Sequence, residues 1–272
     1  MVQVINSHGL SCLARVNGGN HFVIFIHGFP DTKEVWMPVI RALPQDIQFI
    51  APDLPSFGES EIVSDSEMRL DSIVDRICKV LDTMGCASYT LVAHDWGSII
   101  AWQLYSRFAR RVDAMIHANG PHPYVYHNLL NTSPAQREIG KYASFFCSDL
   151  AVGRLSMDGL KALKRFHPFS DSDGPGSEEF FQSKWSDPHR LGACLGIYRS
   201  NFNDLIEGHV TGVTSAAPVR ILWGVNDHSL VREQAHDVRE FCAAGCEILY
   251  VEGGHWSFLE HTEKFKNLIL GI

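Results

Sequence analysis

Three titratable side chains in this 272-residue chain stand just past the C-terminal ends of strand-like segments, where open α/β sheets place their chemistry. Asp95 follows the apolar run Tyr89-Thr90-Leu91-Val92-Ala93 and leads directly into Trp96-Gly97-Ser98. Asp227 follows the apolar stretch over 218–224, in the spacing W-G-x-x-D. His255 follows a strand-like segment over 247–251, in Gly253-Gly254-His255-Trp256. Two carboxylates and a histidine can supply a nucleophile, a general base and a group that orients the base. Ala93 and Gly97 flank Asp95, and small neighbours let a backbone turn tightly against another. By itself this turn has two readings, with Asp95 as a nucleophile at the apex or as a helix N-cap.

Positioning those groups requires an alternating pattern of strands and helices. The segment 2–16 reads as a β-hairpin turning at Ser7-His8-Gly9. Phe22-Val23-Ile24-Phe25-Ile26 is continuously apolar, as expected of a strand buried on both faces. Short helical spacing over 35–43 and a strand over 46–51 follow. Residues 68–84 carry Leu70, Ile73, Val74, Ile77, Val80 and Leu81 at helical spacing, ended by Gly85. After the turn at Asp95 come a helix over 98–110 and a strand over 112–118. The alternation breaks over 122–212, which is aromatic, helical and loop-rich, with a Ser/Asp/Gly/Pro cluster at Ser170 to Ser177. It resumes with the strand over 218–224, a helix over 231–242, the strand over 247–251 and a helix over 257–270.

The turn at Asp95 resembles the nucleophile elbow of the α/β-hydrolases, with aspartate in the place of serine. His27-Gly28-Phe29-Pro30 resembles the H-G-x-P loop that follows their third strand. Asp95, Asp227 and His255 stand in the family's order of nucleophile, acid and histidine. The resemblance covers nearly the whole chain and implies an α/β-hydrolase fold. That fold is a mostly parallel eight-stranded sheet flanked by helices, with core segments 1–121 and 213–272 and a helical cap over 122–212. It implies an oxyanion hole from the backbone N–H groups of Phe29 and Trp96. It makes Phe29-Pro30 a candidate cis peptide, and His27 a structural residue. The stretch from Asp53 to Ser60 resembles the family's D-x-x-G-x-G-x-S loop, with Asp53 as a turn cap and Ser56 in place of the first glycine.

Aspartate at the elbow narrows the substrate. Attack by serine on a saturated carbon would leave an ether that activated water does not readily cleave. Attack by aspartate leaves an ester, whose carbonyl carbon is open to hydroxide generated by His255. Epoxide opening and carbon–halide cleavage both fit. An epoxide needs donors on its ring oxygen, and the epoxide hydrolases supply two cap tyrosines. Lys141-Tyr142-Ala143-Ser144-Phe145-Phe146 resembles their first tyrosine motif and Tyr198-Arg199 their second. Phenols donate without ionising near neutral pH. The resemblance therefore implies opening of an epoxide to a vicinal diol, with water as co-substrate and no cofactor or metal. Phe29, Trp96 and Phe145 are the expected substrate contacts. Dehalogenation is the alternative. However, haloalkane dehalogenases usually carry Asn at the position of Phe29. Fluoroacetate dehalogenases carry Arg after the nucleophile and a His-Trp pair in the cap, where this chain has Trp96 and Ser144-Phe145. A ligand receptor that kept the fold would have no need of all three of Asp95, Asp227 and His255.

Composition sets outer bounds. With 45% hydrophobic and 20% charged residues, the chain reads as a globular protein. A net charge of -8 without a basic stripe argues against nucleic acid, and no apolar run is long enough to cross a bilayer. The seven cysteines are scattered and odd in number, as expected of reduced thiols in a cytoplasmic protein. Cys242 and Cys246 lack the His pair of a metal site. The cap's Phe145, Phe146, Phe166, Phe169, Phe180, Phe181, Trp185 and Phe202 point to an apolar pocket and a small, apolar to moderately polar epoxide. A monomer and a homodimer are equally compatible with these features.

Overall fold

The computed structural model describes residues 1–157, 160–164, 178–210 and 212–272. The Ser170–Ser177 cluster, Phe166, Phe169 and the side chains of Phe180 and Phe181 lie outside the described residues. Eight strands form one sheet: β1 (Gln3–Ser7), β2 (Leu10–Arg15), β3 (His21–Ile26), β4 (Phe49–Pro52), β5 (Ser88–His94), β6 (Val112–Ala118), β7 (Val219–Gly224) and β8 (Cys246–Val251). Their order is β1-β2-β4-β3-β5-β6-β7-β8. The β1–β2 hairpin and the β2–β4 pair are antiparallel, and every other pairing is parallel.

Helices cover both faces. They are α1 (Met37–Ala42), α2 (Leu70–Thr83) and α3 (Trp96–Phe108) in the first part of the chain. Between β6 and β7 lie α4 (Pro123–Thr132), α5 (Pro134–Ile139), α6 (Lys141–Phe146), α7 (Ala151–Met157), α8 (Lys161–Lys164), α9 (Glu178–Trp185), α10 (Pro188–Cys194) and α11 (Gly196–Glu207). The last are α12 (Glu233–Asp237), α13 (Ser257–Glu260) and α14 (Thr262–Leu270). Among the described residues, no helix is long and apolar enough to cross a membrane.

The continuous apolar run of β3 feeds two separate cores, as the twofold side-chain alternation of a strand requires. Phe22, Ile24 and Ile26 face the layer that contains α2 and α3. Val23 and Phe25 face the layer of α1 and α14. The stripe read on α2 is buried at Ile73, Val74, Ile77, Val80 and Leu81, each contributing roughly 1.5–3 kcal/mol. Boundaries shift where turns intervene. The strand expected from residue 46 begins at Phe49, because Ile47 N–H closes a turn onto Pro44 C=O. The helix expected over 257–270 breaks at His261 into α13 and α14. The helix expected over 231–242 is α12 followed by a tighter turn of 3-10 type over Val238–Phe241. Ser56, where the family pattern has glycine, takes φ 68° and is fully buried. That left-handed conformation is the one glycine adopts without strain.

Candidate active site

The β5–α3 turn holds Asp95 at φ 52° and ψ −126°, a strained conformation for a residue with a Cβ. Its neighbours make the turn possible. A Cβ on Gly97 would lie 2.0 Å from the carbonyl oxygen of Ile26, so only glycine lets α3 start against β3. A Cβ on Gly28 would lie 2.3 Å from Asp95 Oδ1, so glycine lets the loop after β3 run beside the carboxylate. The Phe29 N–H then donates to Asp95 Oδ1 at 2.9 Å. Phe29-Pro30 is cis. Trp96 opens α3, so its N–H belongs to the first turn, where donors lack intrahelical partners and the helix dipole favours negative charge. His27 is buried and accepts from Leu54 N–H at 3.0 Å, fixing this loop to the one after β4. Asp53 accepts from Lys33 N–H and Glu59 N–H, as a turn-capping carboxylate does.

His255 lies between the two carboxylates. Its Nδ1 is 2.8 Å from Asp227 Oδ2 and its Nε2 is 3.4 Å from Asp95 Oδ2. Burial alone would lower the imidazole pKa; the Asp227 and Asp95 carboxylates more than offset it and push the group up to about 10. Asp227 moves the other way. Burial raises its pKa, but His255 and donors from Ser229 N–H and Asn119 hold it below the usual carboxylate value. Leu230 N–H donates to the same oxygen as Ser229, at 3.1 Å and 2.7 Å.

The helices between β6 and β7 bring Tyr142 and Tyr198 to a cavity that they share with Asp95 and His255. Tyr198 is buried and Tyr142 half-buried, and desolvation pushes the pKa of each phenol well above the ordinary value, with Asp95 adding to the shift. The Tyr198 ring stands edge to face with the Trp96 ring, with ring centres 5.1 Å apart.

A sequence profile described as the alpha/beta hydrolase fold matches residues 22–262. The chain belongs to this family. Within it, the chain is 28% identical over 263 residues to the protein named Epoxide hydrolase 4 of Mus musculus, covering 92% of this chain and 72% of that one. It is 26% identical to the AB hydrolase superfamily protein YfhM of Bacillus subtilis, covering 98% and 96% of the two chains. The fold matches that of a variant epoxide hydrolase from Bacillus megaterium, with a TM-score of 0.86, 24% identity and 99% of both chains covered. Family and relatives together support a hydrolase.

Against the expectations for such a hydrolase, one site residue lies elsewhere. Phe145 is 37% exposed and does not line the cavity; Phe146, 9% exposed, does. Adjacent helical residues point about 100° apart, and on α6 it is Phe146, four positions after Tyr142, that turns inward. Phe29 lines the cavity, with its ring 5.4 Å from that of Tyr198. Trp96 lines a smaller cavity, whose walls also include Asp95, Tyr142 and Tyr198.

The sequence reading also missed supporting residues that the α/β-hydrolase elbow depends on here. Asn119, at the end of β6 with φ 37°, donates to Asp227 Oδ2 at 2.7 Å and accepts from Gly224 N–H at 2.9 Å. His94 directly precedes Asp95 and is fully buried. Its Nε2 is 3.1 Å from the carbonyl of His255, which can only accept, so Nε2 donates. Its Nδ1 lies 3.3 Å from Asp31 Oδ2. Asp31, one residue after the cis proline, also accepts from Trp256 Nε1 at 2.9 Å. His94, Asp31 and Trp256 thus join the three loops that carry Asp95, Phe29 and His255. The sequence carries no signal for this beyond a histidine adjacent to Asp95.

Proposed function

We propose that the protein hydrolyses epoxides to vicinal diols through an ester on Asp95. The observation that supports this best is a cavity lined together by a carboxylate, its neighbouring histidine and two phenols. A carboxylate suits attack on saturated carbon, and paired phenols suit a ring oxygen that becomes an alkoxide. The names of the relatives point the same way.

In the first step Asp95 Oδ2 attacks a ring carbon while Oδ1 stays on the Phe29 N–H. The ring carbon–oxygen bond breaks and its electron pair moves onto oxygen, which takes a proton from Tyr142 or Tyr198. Their raised pKa values keep both phenols protonated until the alkoxide develops. In the second step the ester has removed one of the two negative charges beside His255. The imidazolium then yields its proton to the phenolate more readily, and the neutral ring takes a proton from water. Hydroxide adds to the ester carbonyl carbon. The oxyanion forms on Oδ1, between the Phe29 N–H and the Trp96 N–H at the start of α3. Collapse breaks the ester carbon–oxygen bond, and the leaving alkoxide takes the proton of the added hydroxyl, which releases the diol and restores the Asp95 carboxylate with His255 again protonated. Asp227, fixed by Asn119, Ser229 and Leu230, orients His255 throughout. Residues 122–212 act as the cap that supplies the phenols and shields the ester.

Intact-mass analysis of His255→Gln tests this. Incubated with styrene oxide, the variant is expected to gain the mass of one substrate on the peptide that carries Asp95. A variant that stays unmodified while the parent enzyme turns over would contradict the ester route.

A further inference from the structure

Asp95, Tyr142 and Tyr198 line two cavities at once, one of about 150 Å³ and the other of about 20 Å³. They stand on the partition between these spaces. If the epoxide ring sits where the carboxylate attacks and the phenols donate, its two carbons must face different lobes. We infer that the substrate is an unsymmetrical epoxide with one apolar substituent of aromatic-ring size and, on the other ring carbon, hydrogen or methyl only. The inference rests on the epoxide reading above and narrows it.

The lobes differ in kind as well as in size. A dry protein cavity of about 150 Å³ holds a benzene molecule, and the larger lobe has that volume. Its walls include Phe29, Ile139, Phe146, Leu163 and Trp256. Phe29 meets Phe146 at 5.2 Å between ring centres, so the described walls are largely aromatic. An apolar ring gains there both from leaving water and from edge-to-face contact. A cavity needs about 10–15 Å³ to take one water, so the smaller lobe, at about 20 Å³, has room for a single small group.

The small lobe is also poorly able to expand. Its walls include Ile99 on α3, Tyr126 on α4, Phe202 and Leu205 on α11, and Leu230 beside Asp227. Each of them is 5% exposed or less. Forcing extra carbon into such a packed place costs enough to reduce binding by about 10- to 100-fold. The wide lobe, by contrast, includes the half-buried Ile139 and opens towards the exposed His228.

Three epoxides grade the small lobe directly: styrene oxide, trans-β-methylstyrene oxide and trans-stilbene oxide. They place hydrogen, methyl and phenyl on the second carbon and keep one phenyl constant. The unmodified protein is expected to show kcat/KM values for the first two within about 10-fold of each other, and a value for stilbene oxide about 100-fold lower or less. Leu230→Ala and Leu205→Ala are each expected to raise the stilbene-to-styrene ratio by about 10-fold, since each removes side-chain volume from the small lobe. Two variants are used because either could fold poorly, and circular dichroism identifies the one to read. Similar turnover of all three epoxides by the unmodified protein would overturn the two-lobe assignment and leave the epoxide reading intact. So would an unchanged ratio in a folded variant. Turnover of none of the three would remove the epoxide reading and this inference with it.

Discussion

The two halves of the site are built differently. Asp95, Asp227 and His255 lie at strand ends and are held by short polar contacts, including the Phe29 and Ser229 N–H groups and the amide of Asn119. Tyr142, Phe146 and Tyr198 come from helices packed over the sheet, and ring contacts of 5.1–5.5 Å hold them together. Short polar contacts fix direction; aromatic packing fixes volume and leaves direction looser. In this account the sheet end makes and breaks the bonds to carbon, and the helical segment supplies the proton donors and decides what is presented to it.

Cutting each half separately is the strongest way to break that contrast. Asp95→Ala is expected to lower kcat by about 10⁴-fold or more, as loss of a covalent nucleophile does. Tyr142→Phe or Tyr198→Phe is expected to cost about 100-fold in the rate of ester formation, since one donor remains. Stopped-flow tryptophan fluorescence would separate ester formation from its hydrolysis. Equal losses in all three variants would erase the distinction.

Asp31→Asn probes the buried link between the loops that carry Asp95, Phe29 and His255. The amide oxygen can still accept from Trp256 Nε1, but the charge facing His94 is gone. We expect ester hydrolysis to slow by about 10-fold, through loss of His255 alignment, while ester formation changes little. Ester would then accumulate at steady state. Loss of both steps in equal measure would mean that the link serves only the fold.

The charge state of His255 gives a pH test. Its pKa of about 10 means that the free protein keeps the imidazolium through neutral pH and loses it only as pH rises past that value. Asp95→Asn removes one of the two charges that raise it, so the value must fall. NMR titration of the ring would show this, and an unmoved midpoint would contradict the coupling. The smallest expected effect lies in α6. Phe146→Ala should raise KM for styrene oxide about 10-fold through lost burial, whereas Phe145→Ala should stay within about 2-fold, as for surface positions.

The core half was legible in the sequence because tight backbone approach restricts residue type. Gly28 and Gly97 cannot carry a Cβ beside Asp95 and Ile26, so the motifs around them mark position as well as identity. Strand runs such as 22–26 announce two-sided burial in the same way. The helices between β6 and β7 give fewer such constraints. Neighbouring aromatics on α6 are interchangeable in composition, and only the helical rotation separates Phe146 from Phe145. His94, Asp31 and Asn119 escaped notice for another reason. Their roles depend on contacts between loops far apart in sequence, such as Asn119 with Asp227, 108 positions away.

The central claim is that an Asp95 oxygen bonds to substrate carbon and that water then attacks the ester carbonyl. A single turnover in water enriched in heavy oxygen, with enzyme in excess over styrene oxide, tests it directly. The account predicts one heavy oxygen in the peptide carrying Asp95 and an unlabelled first-turnover diol. A labelled diol with an unlabelled Asp95 peptide would show direct attack of water on the epoxide and would contradict it.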